Sequence, residues 1–114
     1  MYQLNLEHYD QLLIAHLLGD LTLPNAVSLR QELEKTAKRE KAKDIVLNLA
    51  LVENVDSSGL GVLVAVSTVA RSFGKRLVLY QVPEKVLEAL KQASLDGFFP
   101  LLEEDEDLLL VMPD

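Results

Sequence analysis

The sequence predicts an α/β domain in which a mixed sheet of four to five strands, opened by an N-terminal β-hairpin, carries three to four helices. Three observations predict it. Short alternating or apolar runs recur at Tyr2 to Leu6, Leu12 to Leu18, Asp44 to Leu49 and Arg76 to Tyr80. Between the later runs stand segments whose apolar residues return at three- and four-residue steps. Strands alternating with helices of this length argue for parallel βαβ crossovers, which are right-handed almost without exception. A chain of 114 residues has room for one core, so residues 1–114 are read as a single domain.

Taken in order, Tyr2, Leu4 and Leu6 alternate with Gln3, Asn5 and Glu7, and Leu12 to Leu18 follows Tyr9-Asp10-Gln11, which predicts a hairpin ending at Gly19-Asp20. Pro24 and Asn25 suit a helix start. Ala26, Leu29, Leu33 and Ala37 then mark an inner face, with Arg30, Glu32, Glu34, Lys35 and Lys38 between them. Lys38, Arg39, Lys41 and Lys43 suit the negative end of that helix dipole, and a solvated helix end is favoured over a basic docking patch. Asp44 to Leu49 is short, β-branched and almost continuously apolar, as a strand buried on both faces should be. Ser57 to Phe73 reads as a helix, Arg76 to Tyr80 as a strand, and Glu84 to Ala93 as a helix with Val86, Leu87, Leu90 and Ala93 inward. Phe98 to Leu102 is read as a last short strand. Glu103 to Asp107, followed by Leu108 to Met112, fits either an acid-capped helix or an extended strand, and the helix is favoured because acids suit the positive end of its dipole.

Composition narrows the function. The apolar fraction of 49% and the charged fraction of 25% are those of a globular domain. Eleven basic against eighteen acidic residues leave a net charge of −7, which repels nucleic-acid backbones and anionic lipid, so no direct contact with either is expected. There is no cysteine, which removes disulfides, thiolate nucleophiles and sulfur-ligated metals. Met1 to Asn5 has no basic n-region, and Glu7, His8 and Asp10 interrupt any signal-like stretch, so a cytoplasmic location is expected. The nearly uncharged run Val62 to Ala70 is far below the roughly 18 to 20 residues of a membrane span and is read as a buried or partner-facing helix.

Catalytic patterns fail where they would be expected, at the strand-to-helix turn Asp56-Ser57-Ser58-Gly59-Leu60-Gly61. A nucleophile elbow needs glycine two residues before the serine, and Val55 and Asp56 stand there. A dinucleotide loop needs a third glycine where Val64 stands, and no Gly-Lys-Ser/Thr of a phosphate loop occurs. The two imidazoles, His8 and His16, both lie in the hairpin and are read as structural, and no metal-ligand spacing is present. The chain is therefore read as a binding domain without catalytic residues, metal or cofactor.

What the turn offers instead is hydroxyls at a helix start, where backbone N–H groups lack partners. Local physics favours plain capping by Asp56, Ser57 or Ser58. Two features weigh against that as the whole account. The helix runs Leu60-Gly61-Val62-Leu63-Val64-Ala65-Val66, apolar on nearly every side, and Gly61, Ala65, Thr68 and Ser72 form a stripe of small residues that admits close approach of a sheet or another protein.

Val46-Leu47-Asn48-Leu49 followed by Val55-Asp56-Ser57-Ser58-Gly59-Leu60-Gly61-Val62-Leu63 resembles the STAS-domain family of anti-sigma-factor antagonists. Gly19-Asp20-Leu21 resembles that family's turn before its first helix, and Phe73-Gly74-Lys75-Arg76-Leu77 its second helix end and following strand, so the resemblance spans nearly the whole chain. It implies the STAS fold and an antagonist that, unphosphorylated, binds an anti-sigma factor which is itself a serine kinase. Phosphorylation of the serine after the Asp, here Ser57, ends the association and so regulates sigma-factor-dependent transcription. The kinase supplies ATP and Mg²⁺, and for this chain a monomer or weak dimer is expected. The resemblance places partner contact at Asp56, Ser57, Ser58, Gly59, Leu60, Gly61 and Val64, with Thr22, Leu23 and Asn25 from the preceding loop and helix. Kinase-regulated members often carry an acid directly after the Gly-x-Leu turn, where this chain has Thr22. The alternative that the family admits is a STAS subunit of a membrane transport complex, docking on an ATPase with no phosphate involved.

Overall fold

The computed structural model describes residues 1–103, so all but Glu103 of the Glu103 to Met112 stretch, read above as helix or strand, lies outside the described residues. Eight elements alternate as expected: β1 (Gln3–His8), β2 (Leu12–Leu18), α1 (Leu23–Arg39), β3 (Asp44–Leu51), α2 (Ser57–Ser72), β4 (Arg76–Tyr80), α3 (Glu84–Gln92) and β5 (Leu101–Leu102). The five strands form one sheet in chain order. β1 and β2 pair antiparallel, and every later pairing is parallel, with Ile14 opposite Val46 and Val46 opposite Val78. The sheet is mixed because a short turn can reverse the chain between β1 and β2, whereas each later return passes through a helix or a longer crossover.

The two sheet faces differ. Leu13, Ala15, Leu17, Ile45, Leu47, Leu49, Leu77 and Leu79 meet Leu29 and Leu33 of α1, Leu63 and Val66 of α2, and Val86 and Leu90 of α3 in one core. Leu12, Ile14, Val46, Val78 and Tyr80 form a second cluster on the other parity of the strands, with Leu102 packed against it. Among the described residues no helix contributes to that second cluster. Strand alternation explains the split, since successive side chains point to opposite faces.

Several boundaries move from the sequence reading. α1 begins at Leu23, one residue before Pro24, and is capped from outside by means described below. Ala93 is exposed and Leu87 half-buried, so the inner face of α3 narrows to Val86 and Leu90. The last strand shrinks from Phe98–Leu102 to Leu101–Leu102. Phe98 closes a turn onto Leu95 and lies under the Arg71 guanidinium, Phe99 is buried in the main core, and Pro100 has no N–H to give to a ladder. At the far end of α1, the Lys75 ammonium donates to the carbonyls of Ala37 and Glu40, His8 pairs with Glu40, and Arg76 Nε sits 2.9 Å from Asp44 Oδ1. No helix of the described residues is long and apolar enough to cross a membrane.

Candidate functional site

The parallel strands bring the starts of α1 and α2 to the same end of the sheet, and polar side chains stitch the two preceding loops together. The Leu21 N–H donates to Asn54 O and the Asp56 N–H to Leu21 O, each at 3.0 Å, with a parallel bridge between Leu21 and Val55. Asp20 accepts the Asn54 backbone N–H through Oδ1 (3.1 Å) and its side-chain amide through Oδ2 (3.2 Å). Asn25, itself buried, donates from Nδ2 to Asp20 O at 2.9 Å. Asp and Asn suit this task because their short side chains reach backbone groups of neighbouring loops.

Asp56 is the N-cap of α2, in extended conformation with φ −134°. Its Oδ1 accepts the Gly59 N–H at 3.0 Å, as a capping carboxylate should. Its Oδ2 accepts the Leu23 N–H, also at 3.0 Å, at the start of α1. One carboxylate therefore serves two helices. The Gly59 N–H and then the Leu23 N–H hold the Asp56 carboxyl below its ordinary value against a smaller opposing desolvation, and the Ser58 N–H adds the least.

Gly59 is where the two loops touch most closely. A Cβ built there would stand 1.9 Å from the Leu21 carbonyl oxygen and 2.4 Å from its carbon, so no side chain fits without moving backbone. Two residues on, at Gly61, a Cβ would meet nothing within 4 Å. Successive helical residues are about 100° apart, so the two glycines face opposite ways.

The structure sorts the expected contact residues accordingly. Ser57, Gly61 and Leu23 are exposed, while Thr22, Asp56, Ser58 and Val64 are half-buried. Gly59, Leu60 and Asn25 are buried. These three support the turn from inside, Gly59 against Leu21, Asn25 against Asp20 and Leu60 in the main core, and leave little surface exposed. The small-residue stripe also resolves: Gly61, Thr68 and Ser72 are exposed and Ala65 half-buried, while Val62, Leu63, Val66, Ser67 and Ala70 face inward. The helix that looked apolar on every side thus turns its bulky residues to the sheet and α1, and the stripe looks outward rather than onto the sheet.

Val27 and Arg30 escaped the sequence reading as contact residues, whereas Leu23 was expected among them. Leu23 and Val27, 65% and 61% exposed, stand one turn apart on α1, out of phase with its Leu29, Leu33 and Ala37 stripe. They line a shallow groove with Arg30 whose other wall is Ser58, Gly61 and Ala65. That phase mismatch is the signal by which Val27 could have been found. Arg30 left no such mark. The Ser57 hydroxyl has no imidazole beside it, since His8 pairs with Glu40, and His16 bonds Glu7 and the Asn48 amide. The arrangement is that of an exposed hydroxyl on a fastened turn beside a mixed apolar and basic groove.

A family model described as "Mlab, STAS domain" matches residues 5–104. An anti-sigma F factor antagonist from Paenibacillus polymyxa is 26% identical over 107 residues, covering 94% of this chain and 92% of its own. Among solved structures, the candidate anti-sigma factor antagonist TM1081 from Thermotoga maritima superposes with a TM-score of 0.84 at 23% identity, covering 94% of this chain and 92% of that one. The anti-sigma factor antagonist SpoIIAA in its unphosphorylated form does so with a TM-score of 0.76 at 16% identity, covering 95% and 93%. The sulfate transporter family protein of Wolinella succinogenes is similar as well, with a TM-score of 0.73 at 15% identity, covering 88% and 83%. At these identities the structural likenesses concern the fold.

Proposed function

This chain belongs to the STAS-domain family, and we propose that within it the chain acts as an anti-sigma-factor antagonist switched at Ser57. In its unphosphorylated form it binds a kinase-type anti-sigma factor in the cytoplasm and frees the sigma factor; phosphate on Ser57 ends the association. The chain is a binding partner without turnover of its own, and the kinase brings ATP and Mg²⁺.

The observation that carries this reading is the exposed Ser57 hydroxyl directly after a cap residue fastened to both helices. A kinase needs an accessible hydroxyl, and a switch needs a surface that keeps its shape until charge is added. Phosphate adds about −1.5 to −2 charge there. The start of α2 tolerates that charge internally through its free N–H groups, while a partner packed over Ser57 meets repulsion and unpaid desolvation. The relationship to the Paenibacillus antagonist supports the same assignment.

Incubation with the cognate anti-sigma kinase and ATP is expected to add one phosphate, located by mass spectrometry at Ser57, and Ser57→Ala is expected to take up none and to stay bound. Phosphate incorporation unchanged in Ser57→Ala would refute the site. Capture of a transporter ATPase with no sigma regulator would instead support the transport-complex role, for which the Wolinella likeness is the supporting observation.

A further inference from the structure

We propose that Asp56 is a joint that carries the phosphorylation state of Ser57 into the first turn of α1, loosening that turn while leaving the start of α2 capped. The inference rests on Ser57 being the modified residue and adds how the second helix responds.

α1 has no cap of its own. Its N-cap residue Thr22 makes no side-chain capping bond, and no acid stands in its first turn. Of its first donors, Pro24 has none to satisfy and the Asn25 N–H closes on Thr22 O at 3.0 Å. That leaves the Leu23 N–H, whose acceptor is Asp56 Oδ2 from 33 residues along the chain. α2 is differently placed, because its first-turn N–H groups at Ser58 and Gly59 lie directly beside the residue that would carry the phosphate.

A phosphate on Ser57 brings three acceptor oxygens and a charge of about −1.5 to −2 next to the Asp56 carboxylate. It competes for the Ser58 and Gly59 N–H groups, for which a phosphate at a helix N-terminus is a fitting partner. It also repels the carboxylate, whose hydrogen-bond donors among the described residues are all backbone N–H groups and none a cation. α2 exchanges one anionic cap for another. α1 receives no replacement, so the Leu23 N–H opens, and the turn bearing Leu23 and Val27 loses its fixed position beside Ser58 and Gly61. The two-helix groove is thereby altered in shape as well as in charge.

The two amides should therefore respond in opposite ways, which a purely electrostatic switch at the surface would not produce. Phosphoserine installed at position 57 of the full chain by genetic encoding needs no kinase, so a failed kinase reaction would count against the proposed function and not against the joint. Amide hydrogen exchange followed by NMR is expected to show Leu23 protection falling about tenfold, the scale of one opened hydrogen bond to a charged acceptor, with Gly59 protection changed less than about twofold. Leu23 protection left unchanged, or Leu23 and Gly59 falling together, would overturn the joint. Asp56→Asn keeps one acceptor oxygen and puts an NH2 group where the other stood, so it cannot serve the Gly59 and Leu23 N–H groups together. With the oxygen kept on the Gly59 cap, Leu23 protection is expected to be low already without phosphate and phosphoserine to lower it by less than about twofold further, and a fall as large as that of the parent would also overturn the joint.

Discussion

The inner and outer sides of the first turns of α2 are built from the same kinds of small residue and do opposite jobs. On the inner side Gly59 lies against the Leu21 carbonyl and Asp56 binds backbone N–H groups of both helices, so that side admits no change of size or charge. On the outer side Ser57 and Gly61 are exposed, Gly61 has open space where a side chain would be, and the groove toward Leu23 and Val27 is unfilled. A contiguous Asp-Ser-Ser-Gly-Leu-Gly string thus divides by helical phase into a fastening and a surface. Proximity in sequence does not make its members equivalent, and substitutions on the two sides should differ in sign as well as in size.

The largest effect belongs to the inner glycine. In Gly59→Ala the new methyl would overlap the Leu21 carbonyl, which is backbone tied to Asp56 and cannot swing away. Overpacking usually costs 1 to 3 kcal/mol and more where backbone must move, so about 3 kcal/mol or greater is expected, seen as a thermal midpoint lowered by roughly 10 to 20 °C. A midpoint within about 2 °C of the parent would mean that the two loops do not touch as described.

Next comes the carboxylate. Asp56→Ala leaves the Gly59 and Leu23 N–H groups to water, and the midpoint should fall by several degrees, less than for Gly59→Ala. The pH dependence fixes the cause. The folded state holds the Asp56 carboxyl below its ordinary value, so the contribution is fully present above that ordinary value and is lost as pH falls through the lowered folded one. Parent and Asp56→Ala should therefore differ at neutral pH and converge in acid. A difference that stays constant down the acid range would assign the loss to packing instead of charge.

How much of this was legible in the chain follows from what is local. β2 and β4 have the bounds their apolar runs announce, Leu12–Leu18 and Arg76–Tyr80, because period and flanking turn residues are read within a few positions. The helical period also placed Gly61, Ala65, Thr68 and Ser72 on one side, as found. The same period puts Gly59 in phase with Val62, Leu63, Val66, Ser67 and Ala70, all buried, yet a motif taken whole assigned Gly59, Leu60 and Asn25 to the contact surface. The bond from Asp56 to Leu23 was out of reach: it joins residues 33 apart through a sheet register that no local pattern encodes. Phe98 and Phe99 show the reverse failure, where two aromatics look like strand and one of them instead turns into the core ahead of Pro100.

The smallest effect, and the one of opposite sign, is at the outer glycine. Gly61 sits inside α2 with no neighbour within 4 Å of a built Cβ, so nothing in the fold requires a glycine there. Alanine restricts the unfolded chain and suits a helix, which should stabilise the domain by about 0.5 to 1 kcal/mol and raise the midpoint by a few degrees. A residue that lowers stability at an exposed site is retained when its smallness serves contact, here close approach along the stripe that continues to Ala65 and Thr68. On the antagonist reading, a methyl at the packed centre of the interface should then weaken binding to the anti-sigma kinase about tenfold or more, measured by titration calorimetry on a variant more stable than its parent. Because the variant gains stability while losing affinity, misfolding cannot account for the loss. Affinity equal to that of the parent would remove Gly61 from the contact surface and leave the outer side of α2 with Ser57 alone.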